Sequence, residues 1–338
     1  MIIMKYGTGL LFLIGPTAVG KTAAAIELAG KLGGEIISAD SMQVYRGLDV
    51  LSAKPSVPER ERIRHHLVDV VDAGVIFDVA TYTGLATAAI ADIRARGLTP
   101  IVVGGSGMYV RALVDGIFKG PGRDEDLRRK LEAEAVEKGL ASLYERLKGV
   151  DPGAAKGIHP HDKKRIIRAL EVVAKGRKTL SSLQREWKGQ SGTETGPGIF
   201  SSRNLDCTVA LVGLTRERGD LKKRIEERVE RMFGNGVVEE VRGLLRKGLR
   251  RECTIWQSLG LKEIRGYLEG VYTLEETEER IKKKTHAFAK RQFTWFKKDA
   301  RIRWLLLRKN EDGATVAGRV KCYLESLDRW KAGGSDRS

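Results

Sequence analysis

Leu10-Leu-Phe-Leu-Ile14 runs directly into Gly15-Pro-Thr-Ala-Val-Gly20-Lys21-Thr22, and the reading of this junction decides the fold. The first segment is apolar without alternation, the mark of a strand buried on both faces. The second fits G-x-x-x-x-G-K-[ST], a glycine-rich turn between a strand and a helix. Such a turn lets backbone amides surround one anion, and the following helix N-terminus adds partial positive charge. Gly15, Pro16, Thr17, Ala18, Val19, Gly20, Lys21 and Thr22 are therefore candidate ligands of a polyphosphate. Lys21 supplies a point charge and Thr22 a hydroxyl for Mg²⁺. The pattern implies polyphosphate binding, not hydrolysis.

Outward from this junction the chain keeps one rhythm. A helix is expected over Lys21–Leu32, a short strand at Ile36-Ile37 ending in Ser38-Ala39-Asp40, and a third strand at His66–Val71. An Ala-rich helix follows over Val79–Arg96, then a buried strand at Pro100–Val103 ending in Gly104-Gly105. Strands alternating with helices across short loops predict an α/β fold: a P-loop NTPase-like parallel sheet flanked by helices. Residues 1–116 form its first part. Beyond Gly116 the texture turns helical. Leu127, Leu131, Ala135, Leu143 and Leu147 are helically spaced within Asp124–Lys148, and another helix is expected over Asp162–Lys175. Gly189–Ser202, rich in Gly, Ser and Thr, reads as a loop. Strand texture returns at Thr208–Gly213. This pattern predicts a mainly helical insertion over 117–205 and a second part of the core over 206–330. That part holds helices at Leu221–Arg246 and Glu275–Lys298 and a strand at Ile302–Leu307, with a flexible tail over 331–338.

The 338 residues are 41% hydrophobic and 31% charged, which excludes a disordered chain, a collagen and a disulfide scaffold. Lys and Arg number 61 against 44 Asp and Glu, a formal charge of +17 that favours polyanionic partners. Between Lys156 and Lys188 there are ten basic residues against three acidic, and between Lys282 and Arg303 nine against one. Each run also reads as a solvated helix face. Cys207, Cys253 and Cys322 are far apart, so neither a zinc site nor a disulfide framework is indicated, and reduced thiols fit a cytoplasmic chain. No apolar run approaches the roughly 18 residues of a membrane span. A monomer with no membrane and no obligate protein partner is the default expectation.

Ligands of open α/β sheets bind at the carboxyl ends of the strands. Asp40 is therefore expected beside the phosphate loop, where a carboxylate holds a metal or accepts a proton. Taken alone it reads equally as a turn or cap residue. Val103-Gly-Gly-Ser-Gly-Met-Tyr109 places a second hydroxyl, Ser106, at the same end of the sheet.

Seven segments in order make the reading specific: Gly15–Thr22; Asp40-Ser-Met-Gln43; Gly104-Gly-Ser-Gly-Met-Tyr109; His159-Pro-His-Asp-Lys-Lys-Arg165 with Arg168; Arg224-Ile225; Gly260-Leu-Lys262; and Arg291-Gln-Phe-Thr-Trp-Phe296. In this order and spacing the chain resembles the tRNA dimethylallyltransferases of bacterial type. The resemblance implies transfer of a dimethylallyl group from dimethylallyl diphosphate to the exocyclic amine of the adenosine beside the anticodon. The phosphate loop then holds a diphosphate with Mg²⁺, helped by Arg224. Asp40 is implied as the base and Ser106 as the hydroxyl that positions the amine. Asp40, Ser41, Met42, Gln43, Ser106, Arg128, Lys164, Arg165, Arg168, Gln257, Gly260, Lys262, Arg291 and Gln292 are implied contacts of the tRNA anticodon stem-loop. The base and the diphosphate are implied to enter one channel from opposite mouths. Ser106 stands where the bacterial pattern usually has Thr, Met108 where Leu is usual, Leu261 where an aromatic is usual, and His161 where Asn is usual. Trp295 and Phe296 read as core residues, and His65-His66 as structural.

Three alternatives share parts of the pattern. They are an isopentenyl transferase acting on free adenine nucleotides, a P-loop kinase, and a non-catalytic RNA-binding protein switched by a nucleotide. Transfer to AMP, phosphorylation by ATP alone, and an active Asp40→Asn protein would distinguish them in turn.

Overall fold

The computed structural model describes residues 9–333, apart from 118–119, 177, 189–197, 203 and 251. The chain forms two compact units: Asp115–Ser191, and the sequence on either side of it. In chain order the elements are β1 (Gly9–Ile14), α1 (Lys21–Leu32), β2 (Gly34–Ala39), α2 (Val57–Arg62), β3 (His65–His66), α3 (Val79–Ala95), β4 (Thr99–Gly104) and α4 (Gly107–Asp115). Next come α5 (Glu125–Glu137), α6 (Leu140–Val150), α7 (Pro152–Gly157), α8 (Lys163–Lys175) and α9 (Leu180–Lys188). The chain then builds β5 (Ile199–Ser202), β6 (Cys207–Arg216), α10 (Arg218–Gly234), α11 (Val237–Arg246) and a 3₁₀ turn over Thr254–Gln257. It closes with α12 (Leu261–Leu268), α13 (Leu274–Phe296), β7 (Arg303–Leu307) and α14 (Gly313–Gly333).

One sheet runs β3-β2-β4-β1-β6, parallel throughout. The outer edge of β6 is shared: β5 lies antiparallel to Cys207–Ala210, and β7 parallel to Val212–Arg216. Every residue of β1 is buried, which is why its sequence shows no alternation. Leu10, Phe12 and Ile14 point into a core with Tyr82 and Ile90 of α3 and Leu113 of α4. Leu11 and Leu13 point into the opposite one, with Ala24, Ala25 and Leu28 of α1 and Val316, Ala317 and Val320 of α14. This two-sided burial fixes the register of β1 and thereby where the phosphate loop emerges.

Several expectations are corrected. The strand expected at His66–Val71 shrinks to His65–His66, because Leu67 and Asp69 take left-handed backbone angles (φ 61° and 57°) that no strand tolerates. The long helices expected over 124–148 and 221–246 each divide at a glycine of positive φ, Gly139 (82°) and Gly236 (80°). The loop reading of Gly189–Ser202 fails at its end, where Ile199–Ser202 is a strand of the sheet, so the chain rejoins the core before residue 205. The remainder of that loop, 189–197, lies outside the described residues, as does 334–338 of the expected tail. Helix α14 extends to Gly333, past the expected end at 330. The chain's departure from the sheet and its return are tied together: Ser202 Oγ donates to the Val114 carbonyl at 2.7 Å, and Asn204 Nδ2 to the Leu113 carbonyl at 2.6 Å.

The insertion unit has its own core, built on Leu131, Leu143, Leu147, Ile166, Leu170 and Leu183. A carboxylate with no solvent exposure, Glu171, crosses it. It accepts the Asp124 amide at 2.7 Å, two hydrogen bonds from Arg128 at 2.9 Å, and one from Arg168 at 2.6 Å. Burial pushes the Glu171 carboxyl up, but these donors outweigh it and hold it at about 2. The sign follows: a depressed folded value stabilises the unit above the ordinary carboxylate range, and that stability is lost as pH falls toward 2. Glu171→Ala strands two guanidiniums and should destabilise the unit by about 3 kcal/mol, read as earlier denaturant unfolding of residues 125–175 by hydrogen exchange. Unfolding of this segment unchanged from the parent would refute the clamp.

Candidate active site

The carboxyl ends of β1, β2 and β4 open into one cavity of about 300 Å³. Three loops bring its chemistry together. The glycine turn after β1 contributes Thr17, Lys21 and Thr22; the turn after β2 contributes Asp40 to Gln43; and the turn after β4 contributes Gly105 and Ser106. Asp40 and Ser106, expected beside the phosphate loop, line one cavity with Thr17, Lys21 and Thr22. Asp40 Oδ1 accepts the Met42 amide at 2.9 Å, an Asx turn that fixes the carboxylate at the strand end. Ser106 Oγ accepts the Ser41 amide at 3.2 Å, which ties the third loop to the second. Gln43 is held from both sides: its Oε1 accepts the Ser38 hydroxyl at 2.8 Å and its Nε2 donates to the Ala53 carbonyl at 3.3 Å.

Positive charge dominates the phosphate-loop side. Lys21 Nζ donates to the carbonyls of Gly15 and Pro16 at 2.9 and 2.8 Å and has no carboxylate partner at salt-bridge distance among the described residues. Burial, reinforced by the neighbouring Arg228 and opposed by Asp40, pulls its ammonium down to about 7. Arg224, Arg228 and Arg231 occupy successive turns of α10 and line a second depression with Gly20, Lys21 and Thr22. Lys21, Thr22 and Arg228 border both spaces. Arg224 Nε donates to the Ala18 carbonyl at 3.0 Å, which fastens the helix to the loop. Sequence reading found Arg224 but missed Arg228 and Arg231. Their i, i+4, i+7 spacing on one helix face was the available signal.

Among the remaining expected residues, Gln257, Arg291 and Gln292 also line the main cavity. Gly260 starts α12 against Leu51 and Ile281. Lys262 is exposed in a separate groove with Trp256 and Tyr272, so the main cavity does not include it. Arg128, Lys164, Arg165 and Arg168 belong to the insertion unit, where Lys164 and Arg165 are exposed. Leu261 is fully buried, as befits a core residue. Phe296 is buried as expected, whereas Trp295 is 36% exposed. His66 is structural, with Nε2 2.6 Å from Glu35, itself gripped by Arg96. His65 was not foreseen as a cavity residue: it lines the wall, its Nδ1 on the Ile63 carbonyl at 2.7 Å.

Residues 43–299 match the family described as "IPP transferase". The chain belongs to the IPP transferase family. A tRNA dimethylallyltransferase of Geobacter metallireducens is 46% identical over 298 residues, 88% of this chain and 92% of that one. One from Geobacillus thermodenitrificans is 42% identical over 324 residues, 96% of this chain and 98% of its own. Among solved structures, a full-length tRNA isopentenylpyrophosphate transferase of Bacillus halodurans superposes with a TM-score of 0.66 at 35% identity, covering 96% and 99% of the two chains. A eukaryotic dimethylallyltransferase acting on tRNA gives a TM-score of 0.70 at 27% identity, covering 88% of this chain and 74% of that one. As in those IPP transferases, the sheet here is a P-loop-like core flanked by helices.

An anion beside Lys21 favours its charged form, so pyrophosphate binding at pH 8 should draw a proton onto Lys21, and affinity should fall as pH rises above 7. Calorimetry in buffers of different ionisation enthalpy should show proton uptake in excess of that of Lys21→Met. Equal uptake in both proteins would place Lys21 outside the anion site.

Proposed function

We propose that the chain transfers the dimethylallyl group of dimethylallyl diphosphate to the exocyclic amine of the adenosine beside the anticodon of tRNA, releasing diphosphate. Relatives named tRNA dimethylallyltransferase support the reading. The single observation that carries it is the placement of Asp40 and Ser106 in the cavity that also holds Lys21 and Thr22.

The adenine amine is a weak nucleophile because its lone pair is delocalised into the ring. In the proposed step the amine nitrogen attacks the first carbon of the allylic chain. A carbon–nitrogen bond forms, the carbon–oxygen bond breaks, and diphosphate leaves with the electron pair. Asp40 takes the proton that the amine loses. Ser106 holds the amine in line. Lys21, Arg224, Arg228 and Arg231 stabilise the charge developing on the leaving group. Leu51, Ala53 and Phe288 offer apolar wall to the five-carbon chain.

The expected Mg²⁺ fits the donors present. No group of three or more His, Cys, Asp or Glu among the described residues could hold a metal ion. A Mg²⁺ bound together with a phosphate ligand, however, would need only one or two protein groups. Thr22 would hold it, with Asp40 across the same cavity. Its contribution when bound is to neutralise charge on the diphosphate.

A base stacked in an anticodon loop must be turned out to reach such a cavity. The exposed Lys164 and Arg165 suit phosphate contacts in the RNA, and Ser41, Met42, Gln257 and Arg291 suit contacts at the cavity. No helix among the described residues is long and apolar enough to cross a membrane, and a cytoplasmic location fits a tRNA substrate.

Incubation with dimethylallyl diphosphate and Mg²⁺ should add one dimethylallyl group to an anticodon stem-loop, detected by mass spectrometry, and none to AMP. Modification of AMP alone would favour the free-nucleotide alternative. Asp40→Ala should lower transfer by about 10²–10⁴-fold while still binding RNA; unchanged turnover would remove Asp40 as the base. Replacing Lys164 and Arg165 together by Ala should flatten the dependence of log K on log salt by about 1.5. A slope equal to that of the parent would exclude phosphate contacts there.

A further inference from the structure

We infer that Gln292 is a positioning residue that latches the phosphate loop to the Ser106 turn. It lies near the end of α13 and is 8% exposed. Its Oε1 accepts the Thr17 amide at 2.8 Å, and its Nε2 donates to the Gly105 carbonyl at 3.0 Å. Each end of one side-chain amide thus bonds to the backbone of a different loop. The approach is close enough to exclude a side chain: a methyl group on Gly105 would stand 2.2 Å from Gln292 Nε2. Three residues further along α13, Trp295 closes on the other side of the turn. A methyl group on Gly107 would stand 2.2 Å from its indole ring.

Helix α13 therefore grips the two glycines that flank Ser106. Ser106 in turn receives the Ser41 amide beside Asp40. A single path of contacts joins Thr17, Gln292, Gly105, Ser106 and Ser41. It sets the distance between the anion-binding amides and the hydroxyl–carboxylate pair, which must be fixed for two reactants to meet. Through these two bonds Gln292 acts on its neighbours' positions.

The kinetic part of the test rests on the prenyl transfer proposed above, while the exchange part does not. Gln292→Met removes both bonds at nearly constant volume; Gln292→Glu keeps an acceptor for Thr17 and removes the donor to Gly105. With the full-length protein, Gln292→Met should lower kcat at least tenfold and leave the KM for a stem-loop RNA within twofold of the parent. By hydrogen exchange, Gln292→Met should speed amide exchange in segments 15–22 and 104–109. Gln292→Glu should do so mainly in 104–109. Exchange at parent rates in both segments would overturn the latch, as would a raised RNA KM at parent kcat, the signature of a direct RNA contact. If the parent itself transfers no prenyl group, the functional reading fails, and the exchange pattern still decides the latch.

Discussion

Lys21 sits where burial works against its own charge. Its ammonium leans on two carbonyls of its own loop and faces Arg228, and among the described residues Asp40 is the one carboxylate lining the main cavity with it. Cations without partners are costly to bury, and a fold retains them where an anion completes the arrangement. The glycine turn, the arginine face of α10 and the short turn after β2 all acquire their meaning from that imbalance. Under the proposed function, the diphosphate of the substrate would balance this positive side of the cavity.

The arginines of the insertion follow the opposite rule. Arg128 and Arg168 converge on Glu171, which removes much of their free charge and locks their planar forks. Lys164 and Arg165 beside them lie on the exposed face, Arg165 with the partly exposed Asp162 at 3.4 Å. A count of basic residues along the sequence treats all four alike, yet only the latter pair behaves as a solvated surface. Charge runs thus divide into members bound to a buried acid and members left at the surface.

The parts of the molecule legible in the sequence are those with a local physical signature. β1 and β4 are apolar runs ended by glycine, and the phosphate loop and Asp40 follow from the strand ends that carry them. What escaped detection depends on distant partners. Ile199–Ser202 is a strand because Cys207–Ala210 lies beside it, not because of its own composition. Helix α14 carries Val316, Ala317 and Val320 at helical spacing, but a basic, polar surround obscured it. His65 joins the cavity wall through its pairing beside Ile36 of β2, which lines the same cavity. Gln292 shows no periodic or motif signal for a latch; only the coordinates of Thr17 and Gly105 reveal one.

The two hydrogen bonds between the Leu113-Val114 carbonyls and the side chains of Ser202 and Asn204 have a topological effect. They hold the base of an excursion of more than eighty residues within a few ångströms, so the sheet feels that excursion as if it were a short hairpin connection. The entropic cost of such a loop grows only slowly with its length. A lobe spliced at this position can lengthen, shrink or change its surface without disturbing strand order. The stem of the graft, rather than its size, is what the parent sheet must tolerate.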